Sequence, residues 1–128
     1  AEKAKIPGFY PAIIVPKAIA IGAQIQATFA KAYKMGVPIA FGTDSGVSLH
    51  GDNAKEFGFM TEVGMPASEA IQTATIVNAE ILKAENELGQ LAPGFYADIV
   101  ASDENALENI ATLENITFVM KNGKVYKK

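Results

Sequence analysis

Apolar residues recur with a helical and then with a strand pattern along the first part of the chain. A helix is predicted over residues 17–35, because large side chains on one face recur at every fourth position: Ile21, Ile25, Phe29 and Tyr33. Residues 37–43 follow and are apolar without polar alternation, which is typical of a strand buried on both faces of a parallel sheet. A helix, a short glycine turn and a buried strand together form the αβ half of a βαβ unit.

The remainder of the chain changes from helical to strand character. Two helices are predicted over residues 53–63 and 66–84, and Asn53 with Glu56 has the spacing of a capping box at the start of the first. The C-terminal part is β-rich, with strand patterns at residues 97–101, 116–120 and 124–126. The Asn-Gly pair at 122–123 predicts a hairpin between the last two, because a type I′ turn needs positive φ at both central positions.

The buried strand pattern ends in a carboxylate, Asp44, with small residues on both sides. In α/β architectures, ligands and catalytic groups lie at the carboxyl ends of strands, so Asp44 is a candidate working acid. The alternative is an ordinary turn aspartate. The polar loop that follows contains His50, a candidate substrate contact or proton shuttle whose alternative is an exposed turn histidine.

Composition narrows the classes of function. The 128 residues match the length of one ordinary domain, and 49% hydrophobic residues suffice for a core. All eleven basic residues are lysine. Since nucleic-acid readers rely on arginine for phosphates and guanine edges, no nucleic-acid partner is expected. The absence of cysteine excludes disulfides, thiolate metal sites and a cysteine nucleophile, and the single histidine excludes a histidine-rich metal site built by this chain alone.

The sequence contains neither a signal-peptide pattern nor an apolar run long enough to cross a bilayer. The protein is therefore expected to be soluble and cytoplasmic, without a membrane partner. A periplasmic location stays open, because a mature exported sequence no longer contains its signal.

Three stretches match known protein patterns. They are GVPIAFGTD at residues 36–44, the helix at 70–82 with its Ala-Thr and Asn-Ala pairs, and LGQLAPGFYADIV at residues 88–100. On these stretches the sequence resembles the C-terminal part of the metal-dependent amidohydrolases, in the imidazolonepropionase-like group that includes Xaa-Pro dipeptidases. The segment HGDNAKEF at 50–57 and the hairpin at 119–126 are similar to that group as well.

The resemblance implies an α/β fold: the C-terminal part of a (β/α)8 barrel, with its last strand and flanking helices, plus strands of a small β-sandwich. Residues 1–87 would form the barrel part and residues 88–128 the sandwich strands and hairpin. In such enzymes zinc or a similar divalent ion lies at the barrel mouth. It is held by a His-x-His pair, a carboxylated lysine, two further histidines and an aspartate after the eighth strand. The aspartate also takes the proton from the attacking water, and that double role transfers to Asp44.

The chain departs from this pattern in ways that limit what it can do alone. It has no His-x-His pair and no second histidine, and a (β/α)8 barrel takes about 200 residues or more. It is therefore expected to be a C-terminal piece of a larger enzyme, natural or truncated, that is inactive in isolation and lacks most of its metal ligands. Lys83 stands where the family often has glycine.

The leading hypothesis is a metal-dependent hydrolase that cleaves amide bonds in Xaa-Pro or similar dipeptides, with Asp44 as ligand and base and His50 near the substrate. Its partners would be the substrate, the missing N-terminal part of the same protein and, in a homo-oligomer, further copies. One alternative is a non-catalytic module that works only when docked on another chain through its exposed apolar segment. Another is a hydrolase of cyclic amides of the imidazolone type, which the sequence does not separate from a peptidase.

Overall fold

The computed structural model describes residues 2–46 and 51–128, and the chain divides into two compact units, Ala1–Pro38 and Ile39–Lys128. The division into barrel and sandwich parts at residues 87 and 88 stays a prediction. No helix in the described ranges is long and apolar enough to span a bilayer, and the cytoplasmic location also stays a prediction.

The first unit consists of a 3₁₀ turn, Glu2–Lys5, and a long helix α1, Val15–Lys34. Pro16 lies in the first turn of α1, where its missing N–H has no helical partner to lose. The helix agrees with the prediction. On its apolar face Phe29 and Tyr33 are half-buried, whereas Ile21 is 51% exposed and Ile25 is 64% exposed. The periodicity therefore predicted the helix but not the exposure of part of its apolar face.

The second unit contains three short helices and a small core. They are α2 (Lys55–Glu62), α3 (Ala67–Ala74) and α4 (Ile76–Ile81), with 3₁₀ turns at Asp52–Ala54 and Ile110–Glu114. The buried residues come mainly from these helices and their connections: Met60, Met65, Ala70, Thr73, Ala79 and Thr112. Small alanines at the centre let the helices approach closely. The Thr73 hydroxyl is satisfied in this core, because it donates to the Ala70 carbonyl at 2.6 Å.

A three-stranded antiparallel sheet follows, with strands β1 (Ile99–Ala101), β2 (Phe118–Lys121) and β3 (Lys124–Lys127) in that spatial order. The predicted hairpin between β2 and β3 is confirmed. Asn122 and Gly123 have φ of 48° and 76°, the left-handed pair that a type I′ turn requires. The helices and this sheet confirm the α/β content, whereas membership of a barrel stays a prediction.

Asp98, in the most specific of the matched stretches, ties β1 to the hairpin turn. Its carboxylate accepts a hydrogen bond from the Asn122 amide at 2.7 Å and forms an ion pair with Lys121. The Lys121 hydrogen bond and then the Asn122 amide lower the pKa of the Asp98 carboxyl. The role of Asp98 in the described structure is therefore to hold the sheet together.

The strand predicted over residues 37–43 is not present as a paired strand. Residues 37–45 carry no regular secondary structure, and none of the three described strands pairs with them. A strand is defined by its hydrogen-bonded neighbours, and a parallel neighbour would have to come from residues other than the described ones. The prediction of a buried strand is therefore wrong for the described structure, in which Val37 is 48% exposed and no residue of the segment is fully buried.

Three helices end with the same arrangement of hydrogen bonds, and one of them uses an unfavourable residue. After α1, α2 and α4 the chain takes a left-handed residue at Gly36, Gly64 and Lys83. At the end of α4, the Lys83 amide donates to the Glu80 carbonyl and the Ala84 amide to the Ala79 carbonyl. This is the Schellman motif, in which glycine is usual because a Cβ is strained at positive φ.

Lys83→Gly is expected to raise the free energy of unfolding by about 1 kcal/mol, because it removes the Cβ strain at φ 56°. Urea unfolding followed by circular dichroism measures the change. Gly64→Ala is the reciprocal control: its Cβ would meet no atom within 4 Å, so it should lose stability through φ alone. A Lys83→Gly variant less stable than the parent would contradict the interpretation.

Candidate functional site

Asp44 stands at a sharp change of direction in the chain. Its φ is 46°, a left-handed value that aspartate tolerates better than most residues other than glycine. The residue is exposed, and no hydrogen bond or ion pair joins its carboxylate to any residue within 2–46 and 51–128. An exposed carboxylate without such a partner is available to bind a ligand.

The backbone amide and the backbone carbonyl of Phe41, three residues before Asp44, both form hydrogen bonds. Its amide donates to the Thr73 carbonyl at 3.1 Å, and its carbonyl accepts a hydrogen bond from Asn78 Nδ2 at 3.0 Å. Both partners belong to the same unit of the chain as Phe41. These two bonds take the place of a sheet ladder and fix the segment that leads to Asp44.

The acceptor at Thr73 exists because the helical path is interrupted at Thr75, where φ is −120° and ψ is −91°. The last carbonyls of a helix lack intrahelical partners. In α3 the Thr75 hydroxyl binds the Ile71 carbonyl at 2.9 Å, and the Thr75 amide binds the Gln72 carbonyl at 3.2 Å. The Thr73 carbonyl is left for Phe41. The interruption between α3 and α4 therefore creates the acceptor that holds the Asp44 segment.

The Phe41 side chain provides a third attachment. Its ring stacks on the Phe57 ring, with centroids 4.4 Å apart and planes 28° from parallel. Phe57 belongs to α2, the next α-helix along the chain after Asp44. The stretch that leads to Asp44 and α2 are thus joined by an aromatic contact.

Glu56, next to Phe57, is half-buried, and burial raises the pKa of its carboxyl. The predicted capping box is wrong: α2 begins at Lys55 with Ala54 at its N-cap, and no side chain caps it. The 3₁₀ turn Asp52–Ala54 shifts the helix start, and Lys55 Nζ lies 3.1 Å from the Asp52 carboxylate. Glu56 is therefore a half-buried carboxyl without a capping role.

Candidate metal ligands do not cluster in the described part of the chain. No group of three or more His, Cys, Asp or Glu residues in residues 2–46 and 51–128 could hold an ion. His50, the other predicted site residue, lies outside the described residues. A structural zinc site needs about four donors, so the exposed Asp44 carboxylate fits a metal only as one oxygen ligand among donors from elsewhere.

Sequence reasoning missed Thr73 and Asn78 as parts of the site. Nothing in the sequence indicates that the backbone carbonyl of Thr73 belongs to the site. Asn78 could have been recognised, because it is a polar residue on the alanine-rich face of its helix and is half-buried in the structure. A buried side-chain amide must find a partner, and that requirement could have pointed to a contact with the Asp44 segment.

The chain is similar to a known protein family and to solved structures. The amidohydrolase family model matches residues 1–126. A solved Xaa-Pro dipeptidase, with methionine bound in its active site, is 51% identical with a TM-score of 0.90; the match covers 100% of this chain and 32% of that one.

Two curated relatives are similar over most of this chain. Ochratoxinase from Aspergillus niger is 40% identical over 102 residues, which cover 75% of this chain and 21% of that protein. A 5-methylthioadenosine/S-adenosylhomocysteine deaminase from Caldicellulosiruptor saccharolyticus is 36% identical over 106 residues, which cover 73% of this chain and 24% of that protein. The chain thus spans about a fifth to a quarter of the curated relatives that it matches.

Proposed function

Because the chain belongs to the amidohydrolase family, we propose that the protein containing it is a metal-dependent hydrolase of amide bonds in which Asp44 works at the reacting centre. The observation that carries the proposal is the Asp44 carboxylate itself. It is exposed and has no partner among the described residues, at the end of a segment that is anchored through Phe41. Immobile backbone on one side and a free carboxylate on the other suit a catalytic acid or base.

The substrate class we propose is Xaa-Pro or a similar dipeptide. The support is the likeness to a Xaa-Pro dipeptidase, which extends over the whole chain at 51% identity. His50 is proposed as a substrate contact, because the sequence predicts a polar loop directly after Asp44 and loops at the carboxyl ends of strands carry function in α/β enzymes.

In the proposed reaction, Asp44 has two roles. One carboxylate oxygen is a ligand of a divalent ion, proposed to be zinc. A bound divalent ion supplies Lewis acidity that lowers the pKa of the attacking water towards neutral. The Asp44 carboxylate accepts the proton from that water as the new bond to the amide carbon forms, and it can return the proton to the leaving amine. The anchored Phe41 backbone keeps Asp44 in place during these transfers.

Removal of the metal tests the proposal. The complete protein should hydrolyse Xaa-Pro dipeptides, lose that activity after treatment with 1,10-phenanthroline and recover it when zinc is added. The isolated 128-residue chain should be inactive and should retain no stoichiometric zinc after dialysis, because it offers too few ligands. Full hydrolysis by metal-free protein, or tight zinc on the isolated chain, would contradict the proposal.

A second candidate is hydrolysis at a ring carbon, as in a cyclic amide of the imidazolone type. It is favoured by the 36% identity to the relative named 5-methylthioadenosine/S-adenosylhomocysteine deaminase. Parallel assays with dipeptides and with cyclic amides separate the two candidates, since both would need Asp44 but only one substrate class would be turned over.

A further inference from the structure

We infer that Asn78 is a positioning residue for Asp44: its side-chain amide orients the catalytic carboxylate through the backbone of Phe41. This inference rests on the proposed function, because it assigns to Asn78 a role in the geometry of that site. Asn78 does not touch the reacting atoms itself. It acts on the segment that carries them.

The contact is specific in both partner and direction. Asn78 Nδ2 donates to the Phe41 carbonyl at 3.0 Å, across 37 positions of sequence, and Asn78 is half-buried. Without this donor, the Phe41 carbonyl would lose the only partner that the described structure shows for it. A partly buried carbonyl without a partner costs about 1–3 kcal/mol, so the backbone would move to find another donor.

Such a movement would be transmitted to Asp44 because the anchor is two-sided. The Thr73 carbonyl holds the Phe41 amide at 3.1 Å, so loss of the Asn78 bond leaves the segment fixed at one end only. Asp44 lies only three residues after Phe41, so rotation of the Phe41–Gly42 peptide group would change the direction in which the chain leaves the anchor towards Asp44. Displacement of a reacting group by about 1 Å can cost about 10²-fold in rate.

Sequence position explains why Asn78 is suited to the role. It lies in α4, which starts only after the interruption at Thr75, and the same interruption frees the Thr73 carbonyl. The interruption at Thr75 therefore leaves the Thr73 carbonyl available to Phe41. It also sets the direction of α4, the helix that carries Asn78.

The test uses two variants of the complete enzyme. Asn78→Asp keeps the shape of the side chain but replaces the donor by an acceptor, and Asn78→Ala removes the donor without adding charge. Both are expected to lower kcat by about 10²-fold with little change in KM. Zinc affinity, measured by competition with a chelator, should weaken by about 10- to 100-fold, because residues that orient a metal ligand contribute to the affinity of the site for the metal.

Thr61→Val is the matched control. It removes another part-buried side-chain hydrogen bond to a backbone carbonyl, from the Thr61 hydroxyl to the Gly58 carbonyl at 2.9 Å, and leaves both backbone hydrogen bonds of Phe41 in place. It should lower the melting temperature as the Asn78 variants do, while kcat and zinc affinity per folded molecule stay near those of the parent. Equal losses of kcat and zinc affinity in Thr61→Val and in the Asn78 variants would show a merely structural role and overturn the inference.

Asp44→Asn in the same series separates the two hypotheses. If Asp44→Asn is inactive while both Asn78 variants retain the parent's kcat and zinc affinity, the inference is wrong and the proposed function stands. If Asp44→Asn retains full activity, the proposed function itself is wrong. If the Asp variant at position 78 does not fold, Asn78→Ala decides between these outcomes by the same two measurements.

Discussion

Asp44→Asn is expected to lower the hydrolysis of dipeptides by the complete protein by about 10³-fold or more, because the amide neither accepts the proton of the water nor binds a metal ion as a carboxylate does. The backbone should tolerate the change. At φ 46°, asparagine is among the few residues with little strain, so charge and basicity are altered without a new conformation. Steady-state kinetics with a dipeptide, together with zinc content by atomic absorption, measure the effect.

Asp103→Asn serves as the control for loss of a carboxylate elsewhere in the same unit. Asp103 is exposed, and no described residue forms a hydrogen bond or ion pair with it, so its replacement should leave kcat and zinc content unchanged. Full activity in Asp44→Asn would remove Asp44 from the mechanism, whatever the metal content of the variant.

Gly89→Ala is expected to lower the free energy of unfolding by about 2–4 kcal/mol, the combined cost of a Cβ at positive φ and of overpacking. Gly89 has φ of 86°, and its added Cβ would lie 2.8 Å from the Thr75 carbonyl oxygen and 3.0 Å from the Ala79 Cβ. Neither the Thr75 backbone nor the buried Ala79 side chain can move easily to make room for the added Cβ. Urea unfolding followed by circular dichroism measures the loss.

Gly94→Ala isolates the contribution of φ. Gly94 has φ of 93°, but its Cβ would meet no atom within 4 Å, so the loss should be about 1 kcal/mol. Equal losses at the two positions would show that close packing against Thr75 contributes nothing. Because that packing supports the helix interruption near the Phe41 anchor, Gly89→Ala should also reduce activity more than Gly94→Ala.

Features that depend on neighbouring residues could be predicted from the sequence. The end of α1 at Gly36 and the turn at Asn122 and Gly123 follow from which residues tolerate positive φ, a property of single residues. The capping box failed although it is also local. Asn53 and Glu56 had the right spacing, but a 3₁₀ turn moved the helix start beyond Asn53.

The site was predicted in part for the same reason. Asp44 could be found because an apolar run that ends in an acid is a pattern within a few residues. The groups that hold the stretch before it could not, since Thr73 and Asn78 lie more than thirty positions from Phe41 and contribute a backbone carbonyl and a side-chain amide. The local sequence does not indicate which distant group will form a hydrogen bond with a given backbone N–H or carbonyl.

The amino-acid sequence indicates the main helical regions, the hairpin, the candidate carboxylate and the family of the chain. Periodicity, turn chemistry and motifs each depend on residues that are close together in the sequence. Only the tertiary structure decided that residues 37–45 are held by α3 and α4 rather than by the strands of the described sheet, and that Asp98 secures the hairpin. Hydrogen bonds between distant segments depend on how the helices pack and where they are interrupted, and those are properties of the folded chain as a whole.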